Sequence, residues 1–106
     1  MKDTDFESLA DDTLARVERA LEASGADAGV ELKAGGVLEI EFENGTKIVV
    51  NRHSVAQQIW VAARSGGFHF RWDGTGWRDT RDGSELFAAL SRLVSAQGGQ
   101  PVLLRG

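Results

Sequence analysis

The chain has 106 residues, 16 acidic and 12 basic side chains, a formal net charge of -4 and no cysteine. The absence of cysteine excludes a disulfide scaffold, thiolate catalysis and any metal site built on thiolates of this chain. The length fits one domain over residues 1–106, since a chain of this size buries roughly two-thirds of its unfolded surface.

Neither a signal peptide nor a membrane-spanning segment is expected. The first residues, MKDTDFESLADD, contain no basic segment followed by an apolar run. The chain also lacks an apolar stretch of the ~18 residues that a membrane helix needs. We therefore expect a soluble, cytoplasmic protein.

Acidic residues are concentrated in the first part of the chain. Residues 1–43 carry twelve acids against four bases, a balance of -8, whereas residues 44–106 carry eight bases against four acids, a balance of +4. This asymmetry favours a surface that attracts cations or a basic partner. It argues against nucleic acid as a ligand, and the later arginines lack interleaved exposed aromatic residues beyond Trp60.

Residues 4–23 are predicted to form an amphipathic helix, because apolar side chains recur with a period of about 3.6 residues. Beside the apolar stripe lies a series of acids that continues past the end of the helix. We call this series the acidic ridge, and its members are Glu7, Asp11, Glu18, Glu22, Asp27 and Glu31. Such a series is either a solvated face or a shallow site for hard cations, which clustered carboxylate oxygens suit.

Alternating apolar residues predict short strands at 30–33 and 37–43, followed by an Asn44-Gly45 hairpin. A two-residue loop would place Phe42 opposite Lys47. A three-residue loop, with Gly45 in the left-handed bulge position, instead places Ile40 opposite Ile48 and Glu41 opposite Lys47. We prefer the second register, because each pair then matches in character.

Two further strands are predicted between Gln57 and Trp72, and their alternation decides which face each aromatic residue occupies. Ile59, Val61 and Ala63 share one face with the aromatic residues Phe68, Phe70 and Trp72, and this face must be core.

Trp60 falls on the opposite, outer face. We call the residues that share this face the outer patch: Asn51, Gln58, Trp60, His69 and Arg71. An outward Trp either rests on polar neighbours or serves as an interaction residue, since Trp is over-represented at interface hot spots. His53, placed in a loop, and His69, placed on a strand, are not expected to share a metal.

After a short strand at 77–79, the segment Asp82-Gly83-Ser84-Glu85 resembles a capping box, with Asp82 as N-cap, before a second amphipathic helix. Gly98-Gly99 ends this helix. The predicted fold class is therefore α+β: a two-layer α/β sandwich with two helices, N- and C-terminal, on one face of a five- to six-stranded antiparallel sheet.

Several short motifs, in order and along essentially the whole chain, resemble the frataxin family, and especially its bacterial members. They are Gly35-Gly36-Val37-Leu38, Phe42-Glu43-Asn44-Gly45, Asn51-Arg52, Gln58-Ile59-Trp60, Ser65-Gly66-Gly67 and Phe70-Arg71-Trp72. The resemblance implies weak surface binding of iron (Fe²⁺/Fe³⁺) at the acidic ridge. It also implies regulation of iron–sulfur cluster assembly through contact of the outer patch with a cysteine desulfurase and its scaffold protein.

Two features depart from that family's pattern. Arg19 and residues 23–26 interrupt the run of acids that bacterial relatives carry, and Val55 stands where the family usually has proline. We expect a monomer in the absence of iron. The alternatives are a ferroxidase that stores iron in oligomers, for which no Glu-x-x-His motif is present, and an interaction module without metal.

Overall fold

The computed structural model describes all residues from Met1 to Gly106 and contains two helices and six strands. Their bounds, in chain order, are α1 (Asp3–Ser24), β1 (Ala28–Lys33), β2 (Val37–Phe42), β3 (Lys47–His53), β4 (Gln58–Ala63), β5 (Gly66–Trp72), β6 (Trp77–Asp79) and α2 (Leu86–Gly98). The strands form one antiparallel sheet in the order β1-β2-β3-β4-β5-β6. The predicted sandwich is confirmed, with six strands. Neither helix has the length and apolar character needed to cross a membrane.

One apolar cluster joins both helices to the inner face of the sheet. From α1 it takes Phe6, Leu14 and Val17, all fully buried. The strands contribute the alternate residues that sequence periodicity assigns to the inner face: Leu38, Ile40, Ile48, Val50, Ile59, Val61 and Phe70. Both helices cover this face, so the other face of the sheet meets solvent.

The β2–β3 hairpin has the predicted register. Ile40 pairs with Ile48 and Glu41 pairs with Lys47. The loop is closed by a hydrogen bond from the Phe42 N–H to the Thr46 carbonyl, and Gly45 has a φ of 84°. Glycine takes this left-handed conformation at no steric cost, which is why the three-residue loop forms here.

The start of α2 differs from the prediction. Glu85, not Asp82, is the N-cap, and its carboxylate accepts hydrogen bonds from the N–H groups of Phe87 and Ala88. The reason lies in the backbone. The Asp79 N–H donates to the Ser84 carbonyl, and the backbones of Arg78 and Glu85 form an isolated antiparallel β-bridge, which keeps the chain extended up to position 85. The Asp82 carboxylate instead accepts from the Ser84 N–H within the turn.

Candidate functional site

The outer patch forms where the central strands pair. Asn51 of β3 lies directly opposite Trp60 of β4, and Trp60 lies opposite His69 of β5. Gln58 lies opposite Arg71 in the neighbouring row. The antiparallel register therefore brings together all five residues that the sequence assigned to this surface, and no helix covers them.

Trp60 is held in a fixed orientation by two histidines. Its indole stacks on His53, with ring centroids 3.8 Å apart, and on His69, at 4.4 Å. The indole nitrogen donates a hydrogen bond to the Gln58 side-chain oxygen at 2.8 Å, and Gln58 is itself buried. Trp60 is consequently half-buried, with its ring faces covered by imidazoles.

His53 is the site residue that sequence reasoning missed. The sequence pattern predicts a loop at this position, but His53 is the last residue of β3 and pairs with Gln58. In that register His53 is diagonal to Trp60, close enough for aromatic side chains to touch. The sequence could have indicated this contact, because a strand that extends two residues past Asn51 places His53 beside Trp60. The indole also stands between His53 and His69 and separates their rings.

The outer face of the sheet is divided by charge. At the β1–β2 edge, Glu31 lies directly opposite Glu39, an unfavourable like-charge pair. The Lys33 ammonium, 3.0 Å from Glu39, relieves it, and Lys47 approaches from the other side at 3.5 Å. The hydrogen bond from Lys33 lowers the pKa of Glu39, and the same contact raises the pKa of Lys33.

The opposite edge is basic. Arg71 of β5 and Arg78 of β6 are cross-strand partners, and both are exposed. Asp73 forms an ion pair with Arg78 at 3.3 Å, whereas Arg71 forms none. Between the two charged edges lies the aromatic stack, so a partner on this face would meet acidic, aromatic and basic zones in order.

The acidic ridge is a string of carboxylates rather than a closed pocket. No group of three or more histidine, cysteine or acidic side chains is gathered closely enough to hold a metal ion. Two members of the ridge are already engaged: Asp11 forms an ion pair with Arg52, and Glu7 accepts a hydrogen bond from the Ser54 hydroxyl at 2.9 Å. The four others, Glu18, Glu22, Asp27 and Glu31, form no ion pair. Any cation here would bind shallowly and keep part of its water.

The acidic ridge and the outer patch meet at the end of β3. Arg52 reaches α1 from this strand, and it lies between Asn51 and His53 in sequence. The following turn is also tied to α1, since the Gln57 side-chain amide donates to the Asp3 carboxylate at 3.1 Å. The two candidate surfaces are therefore adjacent and share a polar seam.

Comparisons with known proteins agree over the whole chain. A family model described as a frataxin-like domain matches residues 1–100. The iron-sulfur cluster assembly protein CyaY of Dechloromonas aromatica is 60% identical over 105 residues, which cover 99% of this chain and 100% of that protein. The protein of the same name from Cupriavidus necator is 50% identical, with 98% and 96% covered.

Two solved structures share the architecture. Frataxin from Psychromonas ingrahamii superimposes with a TM-score of 0.91 at 34% identity, and both chains are covered completely. Trimeric frataxin from Saccharomyces cerevisiae, in a ferrous complex, gives a TM-score of 0.66 at 26% identity, with 94% of this chain and 88% of that chain covered.

Proposed function

Because the chain belongs to the frataxin family, we propose that it acts in iron–sulfur cluster assembly as a non-enzymatic regulator. It binds the cysteine desulfurase and its scaffold protein through the outer patch, and it binds iron weakly along the acidic ridge. The full-length similarity to relatives named for cluster assembly supports the process. The finer assignments rest on the two surfaces of the chain.

The observation that carries the docking proposal is the stack of Trp60 between His53 and His69 on a sheet face that no helix covers. Large aromatic side chains supply much of the binding energy at protein interfaces, particularly when they are already ordered before binding. The stack removes rotamer freedom from Trp60 in the free chain. Asn51 and Arg71 beside it offer hydrogen bonds and positive charge to a partner backbone or carboxylate.

Iron binding is proposed at the part of the acidic ridge that carries no ion pair: Glu18, Glu22, Asp27 and Glu31. Carboxylate oxygens suit Fe²⁺ and Fe³⁺ without selecting strongly between them and other hard cations. An open arrangement with water in the coordination shell gives weak, exchangeable binding. Such binding suits a protein that senses or passes on iron more than one that retains it as a permanent cofactor.

The acidic ridge also provides charge complementarity for a basic partner surface, which accelerates association and fixes orientation. Since the ridge and the outer patch meet at Arg52, one partner complex can contact both. Co-purification of the chain with the purified desulfurase and scaffold protein tests the proposal. A complex that forms at low salt and weakens as salt rises is expected, and failure to form any complex would refute the docking assignment.

A further inference from the structure

Three arginine side chains gather beside one flank of α1. Arg16 and Arg19 are about one turn apart on the helix, and the segment that follows α2 brings Arg105 beside them. They line an open cleft with a volume of about 390 Å³, whose other walls come from small residues: Ala20, Ala23 and Gly106.

The segment that carries Arg105 is anchored along α2. The Ser95 hydroxyl accepts a hydrogen bond from the Val102 N–H at 2.8 Å, and the Ser91 hydroxyl accepts one from the Leu104 N–H at 2.8 Å. The Leu104 side chain is buried in the apolar core. Since Leu104 is fixed through both its backbone and its side chain, the next residue, Arg105, is held beside α1.

Arg16 is positioned by an aromatic ring. Its guanidinium lies over the Phe87 ring, 5.4 Å from the centroid. The backbone of Gly106 packs against both groups, so that a β-carbon at this position would lie 2.8 Å from the Phe87 ring and 2.9 Å from Arg16 Nη2. A stacked guanidinium keeps its N–H donors in one plane and loses less freedom when it binds an anion.

None of the three guanidinium groups is neutralised by an acid. The five ion pairs of the molecule involve other bases: Lys33, Lys47, Arg52, Arg78 and Arg81. Asp12, one turn before Arg16, and Glu22, one turn after Arg19, form no ion pair with them. Three like charges around one cleft repel each other, and a bound anion would relieve that repulsion.

We propose that this arginine cleft binds a small, multiply charged oxyanion of the phosphate class. Guanidinium groups recognise phosphate through paired hydrogen bonds. The oxygens of a phosphoryl group diverge from one centre, so they can accept from guanidiniums on different sides of one cleft, whereas the two oxygens of a carboxylate lie in one plane. The cleft volume of about 390 Å³ also falls within the range of small-ligand sites, about 300 to 1,000 Å³. This site is separate from the proposed role in cluster assembly and does not depend on it.

Titration of the purified chain with inorganic pyrophosphate, followed by amide NMR at constant ionic strength, tests the site. Saturable shifts confined to residues 16–23 and 102–106 are expected. Arg16→Gln or Arg19→Gln should weaken binding by about tenfold, the effect of losing one hydrogen bond to a charged group. Arg92→Gln is the matched control, because Arg92 is an exposed α2 arginine that forms no ion pair and lies outside the cleft.

Three outcomes would overturn the proposal. The absence of saturable shifts, or an equal loss of binding in the Arg92→Gln control, would mean that pyrophosphate meets only the general charge of the protein. Tighter binding of citrate than of pyrophosphate would contradict the phosphate class. Circular dichroism of each variant confirms that it is folded.

Discussion

Arg52 of β3 crosses the backbone of Gly36 before its guanidinium forms an ion pair with Asp11 of α1. The two segments are also joined by a hydrogen bond from the Arg52 N–H to the Gly36 carbonyl at 2.9 Å. A β-carbon at Gly36 would lie 2.6 Å from Arg52 Nε, well inside contact distance. This crossing connects the acidic ridge to β3, the strand that contributes Asn51 to the outer patch.

Gly36→Ala is therefore expected to destabilise the protein more than Gly35→Ala. Both glycines have positive φ, +76° and +87°, but only Gly36 has Arg52 against it, since Gly35 has no atom within 4 Å of the added carbon. Each substitution carries a backbone cost of about 1–2 kcal/mol, and the clash adds to it at Gly36 alone. Urea unfolding of both variants measures the difference.

The double variant Gly36→Ala/Arg52→Ala isolates the cause. In the absence of the Arg52 side chain, Gly36→Ala should lower the free energy of unfolding no more than Gly35→Ala does. The Arg52→Ala change also removes the ion pair with Asp11. Equal destabilisation by the two single glycine variants would show that Arg52 adjusts freely, and would contradict a tight crossing.

Iron binding should depend more on Glu18 and Glu22 than on Asp11. Asp11 is already occupied by Arg52, so a cation must displace a guanidinium to use that carboxylate. The double variant Glu18→Gln/Glu22→Gln is expected to bind Fe²⁺ several-fold more weakly, since carboxylates are the charged ligands of such a site. Asp11→Asn should have the smaller effect.

Anaerobic titration with Fe²⁺, monitored by the amide signals of residues 7–31, measures the Fe²⁺ affinity of both variants. Glu43→Gln serves as a control that removes an exposed acid outside the acidic ridge. If the wild-type signals do not move, or if Asp11→Asn abolishes the response while Glu18→Gln/Glu22→Gln preserves it, the proposed location of the iron site is wrong.

Trp60→Ala should leave the fold intact but weaken binding to the desulfurase and scaffold complex. Trp60 lies on the outer face and is only half-buried, so its removal leaves no cavity in the core. Truncation of an interface Trp typically costs about 2 kcal/mol or more of binding free energy, roughly a thirtyfold change in Kd. Calorimetric titration and a thermal melt measure the two properties separately.

Leu103→Ala is the matched control for this experiment. Leu103 is an apolar side chain that is 63% exposed, and it lies in the segment after α2, outside the outer patch. The Leu103→Ala variant should bind the desulfurase and scaffold complex with the affinity of the wild type. Unchanged affinity of Trp60→Ala would show that the aromatic stack is only a structural feature of the sheet.

The β5–β6 turn should make stability depend on acid pH through Asp73. One oxygen of its carboxylate accepts hydrogen bonds from the Thr75 N–H, the Gly76 N–H and the Thr75 hydroxyl. These bonds lower the pKa of Asp73 far below its ordinary value of 3.8. A lowered folded-state pKa contributes stability that is present above the unfolded pKa and is lost as pH falls toward the folded pKa.

Asp73→Asn should therefore flatten the decline of thermal stability that the wild type shows below about pH 4, the range in which unfolded carboxylates titrate. Melting temperatures measured from about pH 6 to about pH 2, which spans the titration of carboxylates, give the comparison. Asp12→Asn is the control, since Asp12 is exposed and accepts no hydrogen bond from another side chain or from a turn. Identical pH profiles for wild type and Asp73→Asn would refute the role of the turn.

Much of this surface could be predicted because it depends on alternation and pairing. Ile40 and Ile48 match only in one register, and that register, continued through the sheet, places Trp60 beside Asn51. The side of the sheet on which Trp60 falls is thus fixed by local pattern, since a shift of one residue would expose the entire core face.

Other features depend on contacts that a local pattern does not contain. The stack of His53 on Trp60 forms only because β3 extends to His53. The turn that follows holds Gln57 at a φ of 53°. The cap at Glu85 depends on a backbone hydrogen bond between Asp79 and Ser84. The arginine cleft depends on the anchoring of Leu104 by Ser91, which joins segments far from α1 in sequence.

The most direct test of the proposed function is the rate of cysteine desulfurase turnover in the presence of the scaffold protein. The rate is measured with and without this chain, at zero and added Fe²⁺, and repeated with Trp60→Ala. We predict that the chain changes the rate, that Fe²⁺ alters the size of the change, and that Trp60→Ala loses most of it. A turnover rate that the wild-type chain leaves unchanged, both without iron and with it, would contradict the regulatory role.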